Sequence, residues 1–282
     1  MVDGVPMSAL VAEAPDPRAV VVALHGGATT SAYFDCPGHP ELSLLRIAVD
    51  QGYTVIALDR PGYGASAAYP DAMARPEQRV ALAVGAIQRI ADTADLFVVG
   101  HSLGCELALH LAVQRPEVLG VSLAGTGRRY HAAAQELLKD ASPVNRPRGL
   151  RELLCEPARL YPPDVIGAGL SAGGTAYEGD VVKTWSRQDF PALAGQTKVP
   201  VQFLAGEYEN VWESDTEALA AIGAMFTASP RVQTGELADS GHNISVGLTA
   251  EIYHRKVLSF ADECVAHRAR EAGKTEVEVE AR

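Results

Sequence analysis

Gly100-His101-Ser102-Leu103-Gly104 is the run most able to do chemistry. It fits G-x-S-x-G, in which a serine sits on a sharp turn from a strand into a helix, its hydroxyl lifted out of the sheet to attack an acyl carbonyl. A second run, Gly169-Leu170-Ser171-Ala172-Gly173, fits the same pattern. Context separates the two. Ser102 follows the apolar residues 96–99 and precedes Leu103, Leu107 and Leu111, whose i, i+4 spacing marks a helix. Ser171 follows Pro162-Pro163-Asp164 and runs into Gly173-Gly174, where no helix starts readily. Ser102 is the expected nucleophile.

A serine hydroxyl needs a base within hydrogen-bond reach, and the base needs a group to hold its tautomer. Eight histidines compete. His101 adjoins the nucleophile, but its side chain should point away from the hydroxyl. His25 belongs to a glycine-rich loop and His39 to a Pro-Gly loop. His110 sits mid-helix, and His131, His254 and His267 lie in polar helical stretches. His242 differs, because it follows the short strand-like residues 232–237 in the loop Asp239-Ser240-Gly241-His242-Asn243, just before the last helix. Ligand sites form in such loops, so His242 is the expected base. The acid should lie between them, after a strand. Glu207, Glu209 and Asp215 are the candidates, and Glu209 is preferred: Glu207 is closer to the strand, and Asp215 falls in or caps the next helix.

Acyl transfer also needs donors where charge grows on the carbonyl oxygen, each worth about 3 kcal/mol. One is the backbone N–H of Leu103. The other comes from Leu24-His25-Gly26-Gly27-Ala28, with Gly27 assigned and Ala28 one register off.

These residues must be carried by a scaffold. Residues 19–24, 53–58, 96–99, 118–123 and 199–204 read as apolar strands, residues 232–237 as a shorter one, and residues 8–12 as a possible edge strand. Helical patterns fall between them, at 79–91, after Ser102, at 213–226 and at 250–266. Strands apolar on both faces and alternating with helices predict an α/β fold with a mostly parallel, doubly wound sheet. The alternation breaks between about 127 and 197, where helical pieces at 130–139, 150–160 and 180–187 suggest an insertion. The tail after Arg268 is charged and aperiodic, which predicts a frayed or solvated end.

Taken in chain order, His25-Gly26-Gly27, Asp59-Arg60-Pro61-Gly62-Tyr63-Gly64-Ala65-Ser66, the Ser102 run, Gly206-Glu207-Tyr208-Glu209 and Gly241-His242 resemble the α/β-hydrolase family. The order Ser, acid, His matches too. The resemblance spans roughly 19–126 and 197–266. It implies a hydrolase core over 1–126 and 197–282, with residues 127–196 as a helical cap that shapes the pocket. Two departures are a Glu acid where Asp is commoner, and Cys105 where a further small residue is usual.

The expected activity is hydrolysis of a carboxylic ester or thioester of modest size through an acyl-enzyme, with no metal or organic cofactor. The same fold and residues could instead serve acyl transfer to another acceptor, C–C bond cleavage or cyclisation. A non-catalytic binding protein that kept the shape would leave Ser102 unreactive.

Composition removes other classes. The chain has 282 residues, 47% hydrophobic and 21% charged, which suits a globular protein. Its longest apolar runs, at 19–24 and 218–226, fall short of the ~20 residues of a membrane span. A net charge of −11 argues against nucleic acid or an anionic membrane as partner. The start, MVDGVPMSAL, lacks the basic, apolar character of a secretory signal, so a cytoplasmic protein is expected. Cys36, Cys105, Cys155 and Cys264 lack metal or disulfide spacing. Gly62-x-Gly64-x-x-Ala67 superficially fits a dinucleotide fingerprint, but Arg60-Pro61 intervenes, Pro70 interrupts any immediate helix, and no acidic residue ends a strand about 20 residues on.

Overall fold

A computed structural model of the chain describes residues 1–91, 94–139, 149–167 and 171–280. In chain order the main elements are β1 (Ala9–Ala12), β2 (Val20–Leu24), α1 (Leu44–Asp50), β3 (Thr54–Leu58), α2 (Pro76–Gln88), β4 (Leu96–His101), α3 (Gly104–Gln114) and β5 (Val118–Ala124). Then come α4 (Ala132–Leu138), α5 (Leu150–Cys155), α6 (Pro163–Gly167), α7 (Glu178–Thr184), a π-helical turn (Trp185–Asp189) and α8 (Phe190–Gln196). The chain closes with β6 (Val201–Tyr208), α9 (Thr216–Gly223), β7 (Val232–Gly241) and α10 (Ala250–Glu280).

The seven strands form one sheet in the order β1-β3-β2-β4-β5-β6-β7. Only β1 is antiparallel. Alternate residues of β2 serve opposite faces: Val20, Val22 and Leu24 join the core under α2, α3, α8 and α9, while Val21 and Ala23 join the core under α1 and α10. Each fully buried side chain of this size contributes about 1.5–3 kcal/mol. The two cores explain why the central strands read as continuous apolar runs. The chain passes from β2 outward to β3 and then back across to β4, so the loops after β2 and β4 flank the point where the winding reverses. A crevice opens there, at the carboxyl ends of the strands.

Several elements differ from their sequence patterns. α1 lies over residues that gave no clear period. α2 begins at Pro76, since proline suits the first helical turn. The pattern at 150–160 breaks after Cys155, because Pro157 cannot continue a helix. α10 runs on to Glu280, so the charged stretch after Arg268 is helical, although Gly273, Thr275, Val277 and Val279 in it are weak helix formers. Among the described residues, no helix is long and apolar enough to cross a membrane.

Candidate active site

Ser102 lies between the end of β4 and the start of α3 with φ +51°. A non-glycine residue in that region stores about 1–3 kcal/mol of strain. Two backbone hydrogen bonds hold it: Ser102 N–H donates to Ala124 O at 2.8 Å, and Ser102 O accepts from Cys105 N–H at 3.0 Å. A Cβ at Gly104 would lie 2.1 Å from the carbonyl oxygen of Leu24, so only glycine lets α3 start this close to β2. Ser102 is partly exposed and lines a cavity of about 560 Å³, a size typical of small-molecule sites.

His242 and Glu209 meet because of the β6–β7 register. Gly206 pairs with Leu237, but Tyr208 pairs with Gly241. β7 therefore carries two extra residues there, with Asp239 at φ +51° in the irregularity. The next residue of each strand, Glu209 and His242, leaves the sheet side by side. His242 Nδ1 is 2.9 Å from both carboxylate oxygens of Glu209. A carboxylate only accepts, so Nδ1 carries the hydrogen and Nε2 keeps its lone pair. Nε2 is buried with no hydrogen-bond partner among the described residues, and His242 lines the same cavity as Ser102. The structure does not hydrogen-bond Nε2 to Ser102 Oγ; such contacts often tighten only with substrate in place. Glu207 accepts the N–H of Asp239 in the irregularity at 2.9 Å, and Asp215 caps α9 through Ala218 N–H at 2.8 Å.

The loop after β2 is clamped. Ala28 N–H donates to the Tyr63 hydroxyl at 2.8 Å, whereas the N–H of Gly27 has no partner among the described residues. The N–H of Leu103 has none either, and both residues line the cavity. His25 Nε2 accepts Arg60 N–H at 3.0 Å, so its Nδ1–H donates to Gly26 O at 2.8 Å. Burial, then the nearby Arg60 cation, holds the His25 pKa well below the usual imidazole value, which keeps that neutral tautomer. The arrangement can supply a nucleophile, a base with an oriented imidazole, and two free N–H groups at one mouth of the sheet.

A model of the Alpha/beta hydrolase family matches residues 21–252. The chain belongs to this family. No curated protein matches it in sequence. Solved structures that resemble this α/β-hydrolase include MenH from S. aureus, 19% identical with a TM-score of 0.67, covering 91% of this chain and 98% of that one. They also include a Paleococcus ferrophilus monoacylglycerol lipase, 20% identical with a TM-score of 0.66 over 93% and 99% of the two chains. A Mycobacterium smegmatis proline iminopeptidase is 18% identical with a TM-score of 0.66 over 95% and 98%. At these identities the likeness is one of fold.

Ser171 lies exposed at the rim of the cavity, and residues 171–175 form no helix. Gly169 and Leu170 lie outside the described residues. His39 faces Asp164 at the surface, and His110 sits against Glu106. His254 is buried within α10. Sequence reasoning passed over the work of His101. Its Nε2–H donates to the carbonyl of His242 at 2.8 Å while its ring stacks on Tyr33. Burial, followed by the neighbouring His242, lowers its pKa to about 3, so it stays a neutral brace for the His242 loop. Sequence reasoning also missed Arg60, Tyr63 and Glu178, which meet in one buried network. The signal within reach was an arginine and a tyrosine directly after a central strand.

Proposed function

We propose that this protein is a serine hydrolase that cleaves a neutral carboxylic ester or thioester through an acyl-enzyme. Ser102 Oγ bonds to the acyl carbon while its proton passes to His242 Nε2, and that proton then leaves with the alcohol or thiol. Water, deprotonated by the same nitrogen, releases the acid. Glu209 holds the imidazole and balances its charge, and the N–H groups of Gly27 and Leu103 receive the oxyanion. The observation that carries the reading is the Glu209–His242 pair, its Nε2 left without a partner, on the same cavity as a strained Ser102.

Residues 127–196 act in this reading as the cap over the site. They supply Trp185, Val181, Val165 and Leu154 to the apolar lining, to which Trp212 also contributes. The charged lining residues support a neutral substrate. Glu178 pairs with Arg60 at 2.6 Å, Glu106 with Arg79 at 2.7 Å, Lys183 with Asp180 at 2.8 Å, and Lys139 with Glu136. A buried anionic group on the substrate would find no unpaired cation among the described lining residues, and burying an unpaired charge is costly.

A series of p-nitrophenyl esters from acetate to decanoate, beside the charged monosuccinate, tests this. Neutral esters should turn over, with kcat/KM at least about 10-fold above the succinate, and Ser102→Ala should lower turnover at least ~10³-fold. If no neutral ester or thioester exceeds the Ser102→Ala background, the proposal is wrong.

A further inference from the structure

We propose that Arg60 is a positioning residue that aims the Gly27 N–H at the oxyanion, and that Glu178 couples this aim to the seating of α7. The inference rests on the hydrolase reading above. In a trans peptide the C=O and N–H of one unit point in opposite directions. The unit joining Gly26 to Gly27 is held by its carbonyl: Arg60 Nη2 donates to Gly26 O at 3.0 Å, His25 Nδ1 at 2.8 Å and Thr29 Oγ1 at 3.2 Å. With the oxygen pulled one way, the Gly27 N–H is turned the other.

Glycine on both sides makes this unit easy to rotate. A flip would withdraw the N–H and present the Gly26 carbonyl oxygen in its place, which would repel a developing oxyanion. Arg60 opposes the flip from a buried position, 1% exposed. The same Nη2 that holds Gly26 O also donates to Glu178 Oε1 at 2.6 Å. Arg60 Nη1 donates to the hydroxyl of Tyr177, the residue just before α7, at 3.3 Å. Glu178 in turn accepts from the Tyr63 hydroxyl, at 2.8 Å and 2.9 Å to its two oxygens, and that hydroxyl accepts the Ala28 N–H. Both peptide units that flank Gly27 are therefore anchored, directly or through one hydroxyl, to an ion pair reaching into residues 127–196. Displacing α7 would loosen the oxyanion donor as well as open the cavity.

The test compares Glu178→Gln, the double variant Arg60→Met with Glu178→Gln, and Arg60→Lys. The double variant removes both charges together, so no buried charge is stranded. Readouts are kcat, KM and the Ki of a trifluoromethyl ketone, which adds reversibly to serine and carries the oxyanion. The double variant should lose about 10- to 100-fold in kcat, hold KM within about 3-fold, and weaken ketone binding by the same factor as kcat. Glu178→Gln alone keeps the Arg60 grip on Gly26 and should lose less. If the double variant does not fold, Arg60→Lys is read the same way, since lysine lacks the planar fork with which Arg60 reaches Gly26 O, Glu178 and Tyr177 from two nitrogens. Unchanged kcat and ketone Ki in a folded variant, or a loss confined to KM, would overturn the proposal. Wild-type protein that neither hydrolyses esters nor binds the ketone would instead sink the hydrolase reading.

Discussion

Glu209 serves three donors. Besides His242 Nδ1, its Oε1 accepts the N–H of Val211 at 2.9 Å and of Trp212 at 3.3 Å. Those backbone bonds fix the carboxylate before any substrate arrives, and the carboxylate then fixes the imidazole. Glu209→Gln keeps the shape, but its amide can donate to Nδ1 and favour the wrong tautomer. kcat should fall by on the order of 10³–10⁴ with little change in melting temperature. Glu207→Gln provides the contrast. An amide oxygen still accepts the Asp239 N–H, so kcat should stay within about 3-fold of wild type. Steady-state kinetics on the two variants decides between the carboxylates, and equal losses would refute the assignment of Glu209.

The strand ends set the distances between these residues. The β6–β7 irregularity is what makes Glu209 adjoin His242, and Gly206 lies within it: a Cβ there would fall 2.5 Å from Ser240 O and 2.8 Å from Gly241 O. Gly206→Ala must push β7 away. It should cost about 1–3 kcal/mol in stability and at least 10-fold in kcat. Gly235→Ala, on β7 itself, meets only Leu204 Cδ2, at 3.4 Å, and should leave both nearly unchanged. Melting curves and kcat for the pair provide the check, and similar behaviour of the two variants would contradict this role for the register. The strands themselves were legible because β2 to β5 are buried on both faces and write largely apolar runs. Glu209 and His242 could be named as loop residues after strands. Their meeting depends on the extra residues in β7, which no periodicity encodes. Arg60 and Glu178 lie 118 positions apart, and only the packing of α7 over the loop after β3 joins them. α1 escaped notice because seven residues give too few turns for a period to emerge.

At the scale of the whole molecule, the two cores enclose imidazoles that cannot easily charge. His254 is fully buried, has no hydrogen-bond partner for either ring nitrogen among the described residues, and has its pKa lowered by burial to about 3. His101 is lowered to about 3 as well, by burial and then by His242. In the unfolded chain a histidine titrates near 6.5. Between about pH 6.5 and 3 the unfolded state therefore binds more protons, and stability falls as pH drops through that window while remaining complete above it. Each such histidine steepens the fall by up to ~1.4 kcal/mol per pH unit. His254→Leu, far from the proposed chemistry, should lose less melting temperature between pH 7 and 4.5 than wild type. An equal loss would show that His254 does not carry the effect.

One serine must carry the chemistry, and the chain offers two in the same sequence frame. Labelling with a fluorophosphonate, followed by peptide mapping of the adduct, tests it most directly. The predicted result is a single modification on Ser102, strongly reduced in His242→Ala. An unlabelled Ser102, or an adduct on Ser171, would contradict the account.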